Sequence, residues 1–355
     1  MLANDFRRFH GGDHRVAVAY DNPHHAAVMN APRFDLARFA QAHARIVSAV
    51  HRTPMLRSQT LSDRVGAPVY LKCENLQKTG AFKVRGALHR LLRLSDEQRA
   101  RGVATISAGN HAQAVAWAAT AVGIRSLVVM PEKASRTKVQ ASREYGAEVI
   151  LHGDAQAAFT KVLELSEERG MTFVHPFDDE EVVAGHGSCG LEIVDQLPDV
   201  HTIVVPVGGG GLASAIAASV AAAKPGVAVW GVEPEGAPSM HRSLEAGEAI
   251  HLQSVSTVAD GLAPPMAGVL NHALLAAHAQ GVVLVSDEEI ISALRVILER
   301  TKLLVEPSGA AAVAALLEGR IPVEPEQPVV AVLSGGNVDL ASLGELLSEG
   351  NRLHV

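Results

Sequence analysis

"TIVVPVGGGGLASAIAASVAAA" occupies residues 202–223. The β-branched run Ile203–Val205 suits a buried strand, and the alanine-rich second half suits a helix. Between them Gly208, Gly209, Gly210 and Gly211 remove every Cβ. Their backbone N–H groups can turn inward on an anion, with the positive end of the following helix behind them. One glycine would serve for a flexible turn; four in a row predict a phosphate cradle. The stretch also comes close to a dinucleotide fingerprint, because Gly208, Gly210 and Ala213 satisfy G-x-G-x-x-A and Glu233 ends the next strand. This loop by itself leaves a dinucleotide and a smaller phosphate ligand both open.

Outward from this unit the same alternation recurs. "APVYLK" (67–72), "VATI" (103–106), "SLVVM" (126–130), "EVIL" (148–151), "MTFV" (171–174), "VAVWGV" (227–232), "GVVLV" (281–285) and "VVAVLS" (329–334) read as strands. Helices are expected at 111–123, 135–146, from about Asp154, and near Gly190–Leu197. Another starts after Asp35, which can cap it, with Leu36, Phe39, His43, Ile46, Val47 and Val50 on one face. Short apolar strands alternating with helices predict an α/β protein with parallel sheets covered on both faces. Two such series predict two domains: a small one over 100–178, with a sheet of about four strands, and a large one from 34–99 and 179–355. Residues 1–33 lack periodicity and are expected to form a loose extension.

Bulk composition excludes several classes. Apolar residues make up 48% of the 355 and charged residues 19%, which fits a globular core. A formal charge of −7 argues against a nucleic-acid footprint. No apolar run is long enough to cross a membrane, and the N-terminal "MLANDFRRFHGGDHR" lacks a signal pattern. Cys73 and Cys189 stand in unrelated contexts and are expected as free thiols of a cytoplasmic protein.

Ligands of open α/β folds lie at the carboxyl ends of strands. One such loop is "ISAGNHAQAVAWAA" (106–119), where Ser107, Gly109, Asn110 and His111 open a helix whose free N–H groups suit a carboxylate; by itself it would equally pass as simple capping. Another is "VLSGGNVD" (332–339), which delivers Ser334 into a glycine turn and alone reads as a plain turn. The most demanding is "ENLQKTGAFKVRGA" (74–87), which sets Lys83 directly behind Phe82 in a segment that otherwise reads as a polar loop. A desolvated, immobilised lysine is a usable amine that can form a Schiff base with an aldehyde. An aldehyde cofactor with a phosphate and an aromatic ring needs an amine, a cradle, a flat apolar wall and a partner for the ring nitrogen. Lys83, Gly208–Gly211, Phe82 and Ser334 supply these, and the expected cofactor is pyridoxal 5′-phosphate (PLP).

"QKTGAFKVRGA", "SAGNH", "VGGGG" and "SGGN", in this order, resemble the fold-type II PLP enzymes, and among them the threonine/serine dehydratase and serine racemase family. The resemblance runs from about residue 35 to the C-terminus. It implies a two-domain, tryptophan-synthase-β-like fold with the cofactor in the large domain, and it decides the glycine loop in favour of a PLP phosphate. It implies that Lys83 is the Schiff-base lysine and the base for the Cα proton. Phe82 and Gly261 would flank the ring, and Asn110 would bond the phenolic oxygen. Gly208, Gly209, Gly210, Gly211 and Leu212 would hold the phosphate, with Ser334 facing the pyridine nitrogen. Ser107, Ala108, Gly109, Asn110 and His111 would take the substrate carboxylate. The implied reaction is α,β-elimination from a β-hydroxy amino acid, with L-threonine and L-serine as first choices, giving a 2-oxo acid and ammonia. Other hydroxy amino acids (3-hydroxyaspartate, phenylserine, an ectoine-pathway intermediate), a serine racemase, and a non-catalytic PLP-binding protein are the alternatives. The resemblance also implies a homodimer or homotetramer.

The departures carry expectations of their own. Ala108 stands where the racemases of this family have a serine, so elimination is expected without efficient racemisation. "EPEGAPS" (233–239) resembles the family's divalent-cation loop, but Ser239 replaces an aspartate and no metal is expected. Ala81 stands where serine is frequent, and His186 where glutamine is expected. Too few residues follow Asn337 for the effector-binding domain of the biosynthetic threonine dehydratases, so feedback inhibition by isoleucine is not expected.

Overall fold

The computed structural model describes residues 34–349. The extension expected over residues 1–33 lies outside the described residues. Ten strands appear among the described residues: β1 (Met55–Arg57), β2 (Val69–Lys72), β3 (Val103–Ile106), β4 (Ser126–Met130), β5 (Glu148–Leu151), β6 (Thr172–Phe173), β7 (Thr202–Pro206), β8 (Ala228–Pro234), β9 (Gly281–Val285) and β10 (Val329–Val332). They form a six-stranded sheet in the order β1-β2-β10-β7-β8-β9 and a four-stranded sheet in the order β5-β4-β3-β6. The chain enters the larger sheet, leaves it after β2 for the smaller one, and returns at β7. Every pairing is parallel except that of β1 with β2. β1, which the sequence did not announce, is a three-residue edge strand, too short to show a period.

The apolar strands are continuous because both faces are covered. Side chains alternate across a strand, and β7 divides accordingly. Ile203 and Val205 pack among the Gly211–Ala223 and Glu180–Gln196 helices. Val204 packs on the other side, with the Asp287–Thr301 and Pro307–Leu317 helices. In β10, Val330 and Val332 take the first side, and Val329 and Ala331 the second. The smaller sheet repeats the pattern: Leu127 and Val129 meet the Ala155–Arg169 helix, while Val128 and Met130 meet Ala112, Ala116 and Val139.

Several expectations are corrected. The first helix, Leu36–Ile46, is capped by Asp35, which accepts from the Arg38 N–H. Its buried stripe is Phe39, Ala42 and Ile46, and Leu36 and Val47 are exposed at 45% and 46%. The helix expected near Gly190 begins at Glu180, with Asp179 as its cap. The glycines of "GHGSCG" (185–190) mark close helix crossings. A Cβ on Gly185 would sit 2.5 Å from the Arg85 carbonyl oxygen, and one on Gly187 would sit 2.3 Å from the Phe39 ring. Lys83 does not lie in a loop: it is the first residue of the Lys83–Leu92 helix. This helix packs across Gly185 and so presents Lys83 at its N-terminal end.

Candidate active site

Lys83 Nζ donates to the carbonyl oxygen of Pro176 at 2.7 Å. The side chain keeps some access to solvent but is closely surrounded by protein. That burial lowers the amine to about 8, with the Glu306 carboxylate pulling weakly the other way. Phe82 precedes it, its ring centroid 5.1 Å from Lys83 Nζ. The Phe82 ring also meets the His186 ring edge-on at 4.8 Å. The Phe82 N–H donates to the Ser334 carbonyl at 3.1 Å, which ties this turn to the end of β10. Ser334 is 5% exposed, and its hydroxyl makes no hydrogen bond among the described residues.

The glycine loop follows β7 and opens the Gly211–Ala223 helix. Among the described residues, none of the N–H groups from Gly208 to Leu212 donates to a protein acceptor. Buried backbone donors are nearly always paired, so five consecutive free ones need an outside acceptor, and the helix N-terminus favours an anion. The glycines are also required sterically. A Cβ on Gly209 would lie 2.5 Å from the Phe177 ring, and Gly210 has a φ of +95°. Gly261 lies beside this loop: its carbonyl oxygen would stand 3.0 Å from a Cβ on Gly208, and its N–H donates to Ser308 Oγ at 3.0 Å.

The third loop is tied down more tightly than its sequence suggests. Asn110 Nδ2 donates to Glu306 Oε1 at 2.6 Å, and Asn110 Oδ1 accepts from Asn337 Nδ2 at 2.9 Å. Ser107 Oγ accepts from the Gly109 N–H at 3.0 Å. No hydrogen bond joins Ser107, Ala108 or Gly109 to Lys83 or to the glycine loop among the described residues. His111 is buried, with Nε2 3.3 Å from the Val174 carbonyl oxygen. Burial, then the Lys83 charge, holds its imidazole well below the usual range, so it stays neutral. What this segment offers a carboxylate is helix N–H groups and the Ser107 hydroxyl rather than a charged histidine.

Sequence reasoning missed several members of this site. Glu306 is buried against Asn110, and burial, then Asp260, pushes its carboxyl up to about 7. Pro176 and Phe177 belong to "VHPFDD" (174–179), a turn fastened by His175 Nδ1, which accepts from the N–H groups of Phe177 (3.3 Å) and Asp178 (2.8 Å). Asn271 reaches the glycine loop from the Val269–His278 helix. Their only local signals were a His-Pro turn after a strand and a glutamate before a proline. At "EPEGAPS", buried Glu233 accepts from the N–H groups of Met240 and His241, both at 2.8 Å, and so caps the Ser239–Ala246 helix. Among the described residues, no cluster of three or more His, Cys, Asp or Glu side chains could hold a metal ion, and no helix is long and apolar enough to cross a membrane.

These residues fit PLP: a run of free N–H groups for its phosphate, a desolvated amine for its aldehyde, and an unpartnered hydroxyl at Ser334. The comparisons with known proteins agree. The family model described as pyridoxal-phosphate dependent enzyme matches residues 46–335. The L-threonine ammonia-lyase of Geobacter sulfurreducens is 46% identical over 311 residues, covering 87% of this chain and 77% of that one. The crystal structure of the T.th. threonine deaminase superposes with a TM-score of 0.81 at 42% identity, over 86% of this chain and 99% of that one. Maize serine racemase superposes with a TM-score of 0.84 at 36% identity, over 90% and 98% of the two chains. The fold is α/β, two mostly parallel sheets flanked by helices, of the tryptophan-synthase-β-like kind. From its loops, its sheets and these matches, the chain belongs to the pyridoxal-phosphate-dependent enzymes.

Proposed function

We propose that this protein is a PLP-dependent ammonia-lyase, or dehydratase, that converts L-threonine and L-serine to a 2-oxo acid and ammonia by α,β-elimination. The observation that carries the reading is the Lys83 amine, desolvated to about 8 and held by the Pro176 carbonyl. The substrate choice follows the relatives, named L-threonine ammonia-lyase and threonine deaminase. When bound, the cofactor supplies an aldehyde that condenses with amines and a ring that draws electrons from the carbon beside the nitrogen.

The chain's own residues do the rest. Gly208, Gly209, Gly210, Gly211 and Leu212 would hold the phosphate through their N–H groups, which have no protein acceptor among the described residues. Phe82 and Gly261 would bound the ring, and the neutral Ser334 hydroxyl would serve its nitrogen without fixing a charge there. Ser107 and the N–H groups at the start of the Asn110–Ala121 helix orient the substrate carboxylate, with Asn110 set by Glu306 and Asn337. Near pH 8 a large fraction of Lys83 is neutral, so Nζ can accept the Cα proton. Ala108 offers no hydroxyl for proton return on the opposite face, which favours elimination over racemisation. The domain division into 100–178 and 34–99 with 179–355, a cytoplasmic location and a homo-oligomeric state complete the proposal; the separation of strands β3–β6 into their own sheet supports the first.

The test is 2-oxo acid release from L-serine, L-threonine, threo-3-hydroxyaspartate and phenylserine by the PLP-loaded protein, with Lys83→Ala as the blank. Turnover of L-threonine or L-serine, absent in the blank, is expected, with D-serine forming from L-serine far more slowly than the oxo acid. D-serine at a comparable rate would favour the racemase reading. No turnover, with the visible lysine–cofactor absorbance present, would leave a cofactor-binding protein.

A further inference from the structure

Asn271 is wholly buried at the back of the glycine loop. Its Nδ2 donates to two carbonyl oxygens, Gly209 at 2.9 Å and Phe177 at 3.0 Å, and its Oδ1 accepts from Ser214 Oγ at 2.8 Å. The Gly209 carbonyl also accepts from the Gly268 N–H at 3.1 Å. A trans peptide sets its N–H opposite its C=O. Two donors behind the Gly209 carbonyl therefore turn the Gly210 N–H forward, to the side on which the loop's donors are free. The same amide ties the Phe177 carbonyl, whose ring blocks a Cβ at Gly209, to the loop it shapes. Gly210 needs this support, because a glycine at φ +95° has many other conformations open to it.

We infer that Asn271 is a positioning residue for the cofactor phosphate: by gripping the Gly209 and Phe177 carbonyls from behind, it fixes the peptide that aims the Gly210 N–H at the anion. The inference rests on the glycine loop being the phosphate cradle. Among the described residues the side chain of Asn271 bonds to Gly209, Phe177 and Ser214 and not to Lys83, so its loss should act on phosphate binding and leave the lysine chemistry in place.

The experiment compares the equilibrium affinities of the wild type, Asn271→Asp, Asn271→Leu and Ser214→Ala for PLP and for pyridoxal, which lacks the phosphate. Wild type is expected to bind PLP far more tightly than pyridoxal. Asn271→Asp keeps the volume and the acceptor for Ser214 but loses the donor. It should weaken PLP binding by roughly 10- to 100-fold, the loss of one charge-assisted hydrogen bond, and leave pyridoxal binding within about two-fold. Asn271→Leu should do the same, and Ser214→Ala should leave the discrimination intact. Equal losses for both ligands, or none, would overturn the inference. A wild type that fails to discriminate PLP from pyridoxal would overturn the cradle itself. A measurement on the unmutated chain stands apart from any folding defect: hydrogen exchange at the Gly210 amide should slow on PLP binding, and equal protection with and without PLP would show that this N–H does not face the ligand.

Discussion

Lys83 and Arg85 are two desolvated cations two residues apart on one helix, and the protein treats them in opposite ways. Arg85 is fully enclosed. Its guanidinium makes two hydrogen bonds to Glu74, both 2.8 Å, and two to Glu192, at 2.7 and 2.8 Å. Ser188 Oγ takes the remaining Nη1 donor at 3.2 Å, and the His51 carbonyl, 3.3 Å from Nη2, shares a donor already engaged. Glu192 is shared with Lys72, whose Nζ lies 2.6 Å away. Burial opposes the charge on Arg85, yet Glu74 and Glu192 outweigh it and raise the group well above its ordinary value. Glu74 is held low in the same way, although burial alone would raise it. Lys83 has one neutral carbonyl and a carboxylate, Glu306, to which it makes no hydrogen bond among the described residues, and burial wins. A buried charge with every donor matched is architecture; a buried charge left short of partners is a group with chemistry still to do.

The largest test of this contrast is Lys83→Met, which should move activity and stability in opposite directions. Activity with PLP should fall by roughly 10³-fold or more. The cofactor-free variant should be more stable than wild type at pH 7 by about 2–3 kcal/mol. The sign follows from linkage: the unfolded lysine titrates near 10.5 and the folded one near 8. Below 8 both states are protonated and the full penalty applies. Between 8 and 10.5 the unfolded state holds more protons, so wild-type stability climbs with pH. Urea unfolding from pH 7 to 10 checks this, and a wild type already as stable as the variant at pH 7 would break the comparison on the Lys83 side. Arg85→Met is the counterpart. It strands Glu74 and Glu192 in the core and should cost about 3–5 kcal/mol by the same measurement. A smaller loss, under about 1 kcal/mol, would mean that Lys72 alone can neutralise the cluster.

What the sequence made legible has a physical pattern. Lys83, Phe82 and the glycine loop stood out as candidates because each requirement is local, an amine beside a flat ring or a backbone freed of Cβ atoms, whereas Ser334 stood out only in their company. The parallel sheets were readable because burial on both faces leaves unbroken apolar runs such as Val204–Val205 and Val329–Val332. Partners recruited across the fold were not. Pro176, Glu306 and Asn271 act on Lys83, Asn110 and Gly209 from separations of 93, 196 and 62 residues, and nothing near them in sequence records the meeting. The start of the Glu180–Gln196 helix was hidden for the reverse reason. Its glycines lower helix propensity, and their purpose, room for Phe39 and for the Lys83 helix, lies in other segments.

Glu306→Gln is the smallest and sharpest test, because it changes a charge and little else. The substituted amide would keep an oxygen for Asn110 Nδ2, so the orientation set at 2.6 Å should persist. What disappears is the carboxylate that raises Lys83 against its burial. The Lys83 amine should therefore titrate below about 8. The pH dependence of its reaction with an amine reagent in cofactor-free protein measures this, with Lys83→Met as the background. Stability supplies an independent readout. Glu306 titrates near 4.5 unfolded and near 7 folded, so the folded state holds the extra proton between them and wild-type stability declines as pH rises through that window. The variant, with no carboxyl to titrate, should flatten that decline. A flattened decline with the Lys83 titration unmoved would mean that the two groups ionise independently, and the contrast with Arg85 would then rest on burial alone, with no part for the carboxylate.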